Sequence, residues 1–292
     1  MTNSIGFIGL GVMGAEMAKH LIKNGNKLNV ISRDSKKTKK FISEFKSSSN
    51  LKIFTNLKDL SRNSKIIITC VGNDIDLKKI YFAKDGILEN VNKNTIIIDH
   101  TTASVKISED LFSSFLKKKC FFYDAPVSGG EDGAKKGALS IMVGGEKRKI
   151  GKIKSVLDPY TKSFIHMGKS GNGQLTKMVN QICVATIIQG LAEGLFFAKK
   201  KKLNINKLLD VISNGAAQSW QLENRAKTMW NMRFNFGFMN KLMLKDLKLI
   251  SEELSKSNIK LPVTKKIMNY YDILVQSGYD KEDTSNLIRL LK

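Results

Sequence analysis

The chain has 292 residues, of which 42% are hydrophobic, with 22 glycines, three prolines and a formal net charge of +23. This length is enough for one large domain or two ordinary ones with buried cores, and the composition excludes a disordered or collagen-like chain. The three cysteines, Cys70, Cys120 and Cys183, are far apart in apolar runs. They predict neither a disulfide framework nor a metal site, and they favour a reducing compartment.

The positive charge invites a polyanionic partner, because a basic surface attracts nucleic acid without a dedicated fold. The lysines are scattered, however, and the densest runs (36–40, 117–119 and 199–202) fall at predicted helix ends or turns. A solvated surface is therefore the favoured interpretation. The N-terminus lacks a secretory pattern, and no uninterrupted apolar run approaches the ~18 residues of a membrane span. We expect a cytoplasmic protein with no membrane partner.

The first half of the chain alternates strand-like and helical patterns. The first strand, 5–9, leads through a Gly-rich turn into a helix in which Met17, Leu21 and Ile22 recur at helical spacing. Further strands are predicted at 28–32, 65–71, 94–100, 120–126 and 140–145. Apolar β-branched runs that alternate with helices are typical of a parallel sheet covered on both faces, which right-handed crossovers make doubly wound.

The second half shows no strand-like run. Helical patterns are predicted at 172–201, 205–213, 218–230, 239–256, 262–276 and 283–291, and a Gly-containing stretch at 166–174 forms the joint. We therefore predict a mostly parallel α/β domain over residues 1–165 and an all-α domain over residues 166–292.

A glycine motif follows the first predicted strand. The residues are Gly9, Leu10, Gly11, Val12, Met13 and Gly14, in the pattern G-x-G-x-x-G. Gly9 permits a tight turn, Gly11 lets the backbone approach a pyrophosphate, and Gly14 lets the helix pack on the strand. The phosphates would then lie at the helix N-terminus, as in a Rossmann domain. A Gly-rich turn without a ligand is the alternative.

The end of the second strand distinguishes NADP from NAD, since an arginine there pairs with a 2′-phosphate and a carboxylate accepts from the ribose hydroxyls. Ser32 and Arg33 lie at the strand tip, and Ser35 and two lysines follow. Asp34, about 20 residues beyond the last glycine, would by spacing allow NAD. The pattern favours NADP and leaves NAD open.

Two segments offer groups for carbonyl reduction. Ser128, Gly129 and Gly130 form a small-residue turn whose hydroxyl and N–H groups could hold a carboxylate, although an ordinary turn is the alternative. Lys177, Asn180 and Gln181 share one face of a helix that continues in apolar residues. Next to a cationic nicotinamide in a desolvated pocket, the pKa of Lys177 would fall toward the range of a general acid/base. A lysine that reaches solvent is the alternative, and periodicity alone does not select the charged pair Lys245-Asp246.

Five motifs in order resemble the β-hydroxyacid dehydrogenase family over essentially the whole chain. They are GFIGLGVMG at 6–14, DHTTAS at 99–104, DAPVSGG at 124–130, GNGQLTKMVNQ at 171–181 and KDL at 245–247. The resemblance implies a Rossmann domain, a helical domain, an active site between them, and a homodimer or homotetramer. It also implies hydride transfer between NADP(H) or NAD(H) and a small 3-hydroxy acid or semialdehyde.

The resemblance further implies roles for individual residues. Lys177 would be the general acid/base, Ser128, Gly129 and Gly130 would bind the substrate carboxylate, and Asn180 with Gln181 would orient the substrate. Thr102 would lie near the nicotinamide, Lys245 would contact the cofactor, and Val71 with Asn73 would belong to the adenosine-side loop. Gln181, where some members have asparagine, is similar to the tartronate semialdehyde reductases. An imine-reducing relative and a non-catalytic nucleotide-sensing or nucleic-acid-associated module are the alternatives, and Lys177 counts against both.

Overall fold

The computed structural model describes residues 4–33, 35–45 and 48–291, and only the backbone of residues 35–37 and 40. The chain divides into two compact units, Met1–Lys177 and Met178–Lys292. The predicted domain boundary at residues 165 and 166 stays a prediction.

The first unit contains a six-stranded parallel sheet. Its strands are β1 (Ser4–Ile8), β2 (Lys27–Ile31), β3 (Leu51–Ile53), β4 (Ile66–Thr69), β5 (Ile96–Asp99) and β6 (Phe121–Asp124). The strand order is β3-β2-β1-β4-β5-β6, and every pairing is parallel. This is the doubly wound order of Rossmann domains, with its switch point between β1 and β4. The predicted fold class is confirmed.

Eight helices accompany these strands in the described part of the first unit. They are α1 (Val12–Lys23), α2 (Ser35–Glu44), α3 (Leu57–Arg62), α4 (Asp74–Phe82), α5 (Ile87–Asn90), α6 (Val105–Lys117), α7 (Gly130–Lys135) and α8 (Ile150–Leu157). Ile66 and Ile68 of β4 pack in one apolar cluster and Ile67 packs in another. Because successive side chains of a strand point to opposite faces, these two clusters cover the two faces of the sheet.

A second, three-stranded sheet lies in the same unit. It contains β7 (Val127–Ser128), β8 (Leu139–Val143) and β9 (Thr161–His166), in the order β7-β8-β9. β8 is the strand predicted at 140–145, but it pairs with β7 and β9 and not with the main sheet. Three strands, β3, β7 and β9, were not predicted from the sequence. The first two have only three and two residues, and β9 is polar and largely exposed.

The second unit is helical. Its helices are α9 (Asn172–Lys200), which begins in the first unit, α10 (Ile205–Ile212), α11 (Trp220–Trp230), α12 (Asn240–Leu254) and α13 (Pro262–Gln276). Their ends lie within about two residues of the predicted ones. The segment predicted as a helix at 283–291 forms 3-10 turns over Thr284–Leu290. The predicted all-α character of this part of the chain is confirmed.

α9 is long and apolar enough to cross a membrane by length and composition alone. A core helix of a globular protein passes the same test, because its apolar residues are buried against protein. Ile188, Ala192 and Leu195 of α9 are each at most 1% exposed, at the spacing of one helix face. We therefore interpret α9 as a core helix.

Candidate active site

The glycine motif forms the turn between β1 and α1. Gly9 has a φ of +102°, and a Cβ added there would lie 2.2 Å from the carbonyl oxygen of Cys70. A Cβ at Gly14 would lie 2.0 Å from the carbonyl oxygen of Gly9. Both positions therefore require glycine for the fold itself, one for a left-handed turn and both for close backbone packing.

Gly11 differs from these two glycines. A Cβ added at Gly11 would meet no atom within 4 Å, so the fold leaves open space there. Gly11 is the N-cap residue of α1 and makes no side-chain cap hydrogen bond, and the first turn of α1 contains no acidic residue. The backbone N–H groups of Val12 and Met13 at this helix start are suited to an anion. The turn fits a dinucleotide pyrophosphate.

The tip of β2 carries Ser32 and Arg33. The Arg33 guanidinium pairs with the Asp76 carboxylate, with Nη1–Oδ1 at 2.7 Å and Nη2–Oδ2 at 3.0 Å. The Arg33 side chain is exposed, whereas the Asp76 side chain is largely buried in the first turn of α4. Asp76 was not predicted as a site residue from the sequence. Asp34 and the side chains of Ser35, Lys36 and Lys37 lie outside the described residues.

The loop between β4 and α4 contains Val71 and Asn73. The Asn73 side chain caps α4 by accepting from the backbone N–H of Asp76 at 3.0 Å. The backbone N–H of Val71 donates to the Thr101 hydroxyl at 3.1 Å. Asn73 thus contacts the backbone of Asp76, Arg33 contacts its carboxylate, and Val71 ties this loop to the segment that follows β5.

Thr102 lies in that segment, between two residues that Gln174 holds. The Gln174 side chain is fully buried, accepts from the backbone N–H of Ala103 at 3.1 Å and donates to the carbonyl of Thr101 at 2.8 Å. Gln174 lies in the first turn of α9, three residues before Lys177. The Thr102 segment and the start of α9 are therefore fastened together.

Asp124, the last residue of β6, fastens the start of α9 a second time. Its buried carboxylate accepts from the backbone N–H groups of Gly171 at 2.8 Å and Gln174 at 3.0 Å, and from the Ser170 hydroxyl at 3.2 Å. Burial raises the pKa of Asp124, and these hydrogen bonds oppose that rise. A carboxylate at a helix N-terminus also interacts favourably with the helix dipole. The motif DAPVSGG therefore contains a helix cap that sequence reasoning did not assign.

Ser128, Gly129 and Gly130 follow this strand. Ser128 pairs with Ser140 in the small sheet and is half-buried, whereas both glycines are exposed. Gly129 and Gly130 have φ values of +133° and +62°, and a Cβ at Gly130 would meet nothing within 4 Å. The turn therefore presents accessible backbone.

Lys177 is only 7% exposed. This burial contradicts the alternative of a lysine that reaches bulk solvent. A lysine is rarely buried to this extent unless it is paired. Lys177 lies one helical turn after Gln174 and one turn before Gln181.

In the second unit, Asn180, Gln181 and Lys245 meet around the buried carboxylate of Asp246. The Gln181 amide donates to Asp246 Oδ2 at 2.7 Å, and its oxygen accepts from the Asn180 amide at 2.8 Å. The Lys245 ammonium lies 3.0 Å from Asp246 Oδ1. Asp246 is 3% exposed, although a charged residue on an amphipathic helix usually lies on its solvated face. Sequence spacing offered no signal for this burial.

Comparisons with known proteins agree with this geometry. Residues 4–168 match the family model of the NAD-binding domain of 6-phosphogluconate dehydrogenase, and residues 171–291 match that described as NAD-binding of NADP-dependent 3-hydroxyisobutyrate dehydrogenase. The chain is 41% identical to an uncharacterized oxidoreductase of Shewanella frigidimarina, covering 99% of this chain and 98% of the relative. It is 30% identical to 2-hydroxy-3-oxopropionate reductase of Escherichia coli, covering 99% and 97%.

A solved structure resembles the whole chain. The 3-hydroxyisobutyrate dehydrogenase of Mycobacterium tuberculosis, in a structure with L-serine, has a TM-score of 0.89 and 25% sequence identity, and each chain is covered completely.

The Rossmann sheet and its open glycine turn define an NAD(P)-dependent oxidoreductase. This chain belongs to the β-hydroxyacid dehydrogenase family, whose members act on hydroxyacids. The non-catalytic module and the imine-reducing relative are not favoured.

Proposed function

We propose that this chain interconverts a small 3-hydroxy acid and its semialdehyde, with NADP(H) as the preferred cofactor and Lys177 as the residue that moves the proton. The observation that carries the proposal is the burial of Lys177 on the helix face that also carries Asn180 and Gln181. The names of the reductase and dehydrogenase relatives support the substrate class. L-Serine, which accompanies the mycobacterial structure, is itself a 3-hydroxy acid.

The nicotinamide supplies or accepts the hydride when it is bound. Lys177 Nζ gives a proton to the oxygen that becomes the hydroxyl, and it takes the proton back in the oxidative direction. Its placement depends on the first turn of α9, which Asp124 and Gln174 hold. Such preorganisation raises the rate of reaction, because the proton donor is already in position when the substrate binds.

The remaining residues hold the two reactants. We propose that Ser128 with the N–H groups of Gly129 and Gly130 binds the substrate carboxylate, and that Asn180 and Gln181 orient the substrate. The fixing of Gln181 by Asp246 supports this role, because a positioned amide offers a defined donor or acceptor.

On the cofactor side, we propose that the glycine turn, Gly9 to Gly14, binds the pyrophosphate. Ser32 and Arg33 would take the 2′-phosphate, and Val71 and Asn73 would flank the adenosine. Thr102 and Lys245 would lie near the nicotinamide half. The planar guanidinium of Arg33 suits a phosphate because it donates two parallel hydrogen bonds.

A homodimer or homotetramer in the cytoplasm is the expected state, with a nucleotide-binding domain over residues 1–165 and a helical domain over residues 166–292. These points are proposals that rest on the family resemblance.

The test is an NADPH-oxidation screen at 340 nm with glyoxylate and with succinic, tartronate and methylmalonate semialdehydes. L-Serine oxidation with NADP tests the oxidative direction on a separate substrate. Lys177→Ala is expected to reduce kcat about 10²- to 10⁴-fold, the usual contribution of a general acid/base. Arg33→Ala is expected to raise KM for NADPH while leaving KM for NADH unchanged.

Lys200→Ala, an exposed lysine at the other end of the same helix, is the matched control and should keep wild-type kcat. If Lys177→Ala retains most of the activity, Lys177 is not the proton donor. If no semialdehyde is reduced by the wild-type protein, the substrate class is wrong.

A further inference from the structure

The ion pair between Arg33 and Asp76 joins two parts of the nucleotide-binding unit that are 43 residues apart in sequence. Asp76 takes one hydrogen bond from Nη1 and one from Nη2, so it occupies the end of the guanidinium fork. The two side chains differ in solvent exposure, since the Arg33 side chain is 76% exposed and the Asp76 side chain is 14% exposed.

Asp76 is the fixed member of the pair. Its backbone N–H is capped by Asn73 at the start of α4, and its Oδ2 accepts from the backbone N–H of Gly72 at 3.3 Å. The arginine, by contrast, reaches Asp76 from a strand tip on a long exposed side chain. A ligand that recruits Arg33 therefore has to draw the guanidinium from a carboxylate that stays in place.

We infer that Asp76 sets the choice between NADP and NAD by competing with the 2′-phosphate for the guanidinium of Arg33. The inference rests on the proposed adenosine-side role of Arg33. It assigns to Asp76 a specificity-determining function that the sequence pattern at the strand tip does not contain.

The competition acts differently on the two cofactors. A 2′-phosphate needs the donors that Arg33 now gives to Asp76, and its own negative charge is repelled by the neighbouring carboxylate. A ribose 2′-hydroxyl is neutral, and it can donate a hydrogen bond to a carboxylate. Asp76 therefore weakens NADP binding and leaves NAD binding unaffected or improved. We therefore expect the protein to bind both NADP and NAD.

The test uses the full chain and two nucleotide probes, 2′,5′-ADP and 5′-AMP, which differ by the 2′-phosphate. Asp76→Asn keeps the shape of the side chain and removes its charge. We expect the Kd for 2′,5′-ADP, measured by calorimetry, to fall about three- to fivefold, as for removal of one exposed competing ion pair. The Kd for 5′-AMP should stay the same or rise. The increase in affinity for 2′,5′-ADP should be smaller at high salt, because exposed charges are screened.

Asp110→Asn is the matched control. Asp110 is paired with Lys106 on the exposed side of α6, so this variant removes one surface charge of the same unit without touching Arg33. Neither probe should bind it differently. Asp76→Ala provides a second variant, and the thermal midpoint of each protein checks that it is folded.

Three outcomes separate this inference from the proposed function. If Asp76→Asn weakens 2′,5′-ADP binding, Asp76 positions Arg33 for the phosphate and the inference is overturned. An unchanged Kd for both probes overturns it as well. If Arg33→Ala itself leaves the Kd for 2′,5′-ADP unchanged, the proposed NADP site is wrong. In the Arg33→Ala background, the gain from Asp76→Asn should be smaller than in the wild type.

Discussion

Gln181 and Asp246 form a buried amide-to-carboxylate hydrogen bond of 2.7 Å that links α9 to α12. The two residues are 65 positions apart in sequence, and each is 3% exposed. A buried carboxylate needs such partners because the loss of its hydration is costly. Lys245 also lies 3.0 Å from Asp246, so this one carboxylate contacts both Gln181 and Lys245.

Removal of this amide should destabilise the protein. Gln181→Ala leaves Asp246 with fewer partners, and we expect the free energy of unfolding to fall by about 1–3 kcal/mol. Urea denaturation followed by circular dichroism measures the change. Gln276→Ala is the control, since Gln276 makes the same kind of hydrogen bond to Asp272 at 2.6 Å on the exposed surface. Equal effects of the two variants would contradict the structural role assigned to the buried pair.

Substitution of two glycines in the turn between β1 and α1 should distinguish an effect on folding from an effect on nucleotide binding. Gly14→Ala places a Cβ 2.0 Å from the carbonyl oxygen of Gly9, so this variant should be clearly destabilised in a thermal melt. Gly11→Ala meets no protein atom within 4 Å and should melt like the wild type. Its methyl group would enter the proposed pyrophosphate site, so NADPH binding, followed by nucleotide fluorescence, should weaken. Normal NADPH affinity in folded Gly11→Ala would argue against this turn as the pyrophosphate site.

Asp99 should make the protein less stable as the pH rises from about 4 to about 7. Burial raises the pKa of Asp99 to about 7 from a usual value near 3.8, although hydrogen bonds from Thr69 and Thr101 oppose the rise. The folded protein then holds a proton that the unfolded chain releases, so stability is lost as the pH rises from about 4 to about 7. Among the described residues, Oδ2 of Asp99 has no hydrogen-bond partner.

The check compares the wild type with Asp99→Asn in urea at several pH values. The free energy of unfolding of the wild type should fall relative to that of the variant by a few kcal/mol across this range. A constant difference between the two proteins would mean that Asp99 titrates normally.

His100, the next residue, should have the opposite effect. Burial lowers the pKa of His100 to about 4, although a hydrogen bond of 2.6 Å between the ring and the carbonyl of Ala125 opposes the fall. The other ring nitrogen lies 2.9 Å from the Tyr160 hydroxyl. The unfolded chain takes up the proton first, so stability is lost as the pH falls from about 6.5 to about 4. The chain has three histidines, so NMR can follow each ring. A His100 ring that titrates near pH 6.5 would contradict this prediction.

Local features of the fold were predictable from the sequence. The alternation of apolar strands with helices depends on residue spacing within about ten positions, and so do the glycine turn after β1 and the apolar face of α9. Short-range periodicity therefore predicted five of the six strands of the main sheet and, within about two residues, the helices α9 to α13. It did not predict β3, β7 and β9, because two or three residues, or a polar edge strand, carry too little periodicity.

The candidate site was predictable only in part. Its turns and its lysine stand in ordered motifs, so the sequence indicated Gly11, Ser128 and Lys177 directly. The carboxylates that hold other parts of the candidate site come from distant segments. Asp124 caps the start of α9, Asp246 accepts from Gln181, and Asp76 pairs with Arg33. The amino-acid sequence by itself determined the class of chemistry through motifs that are local in the chain. The tertiary structure alone decided which carboxylate each group meets, because those contacts join residues 43 to 65 positions apart.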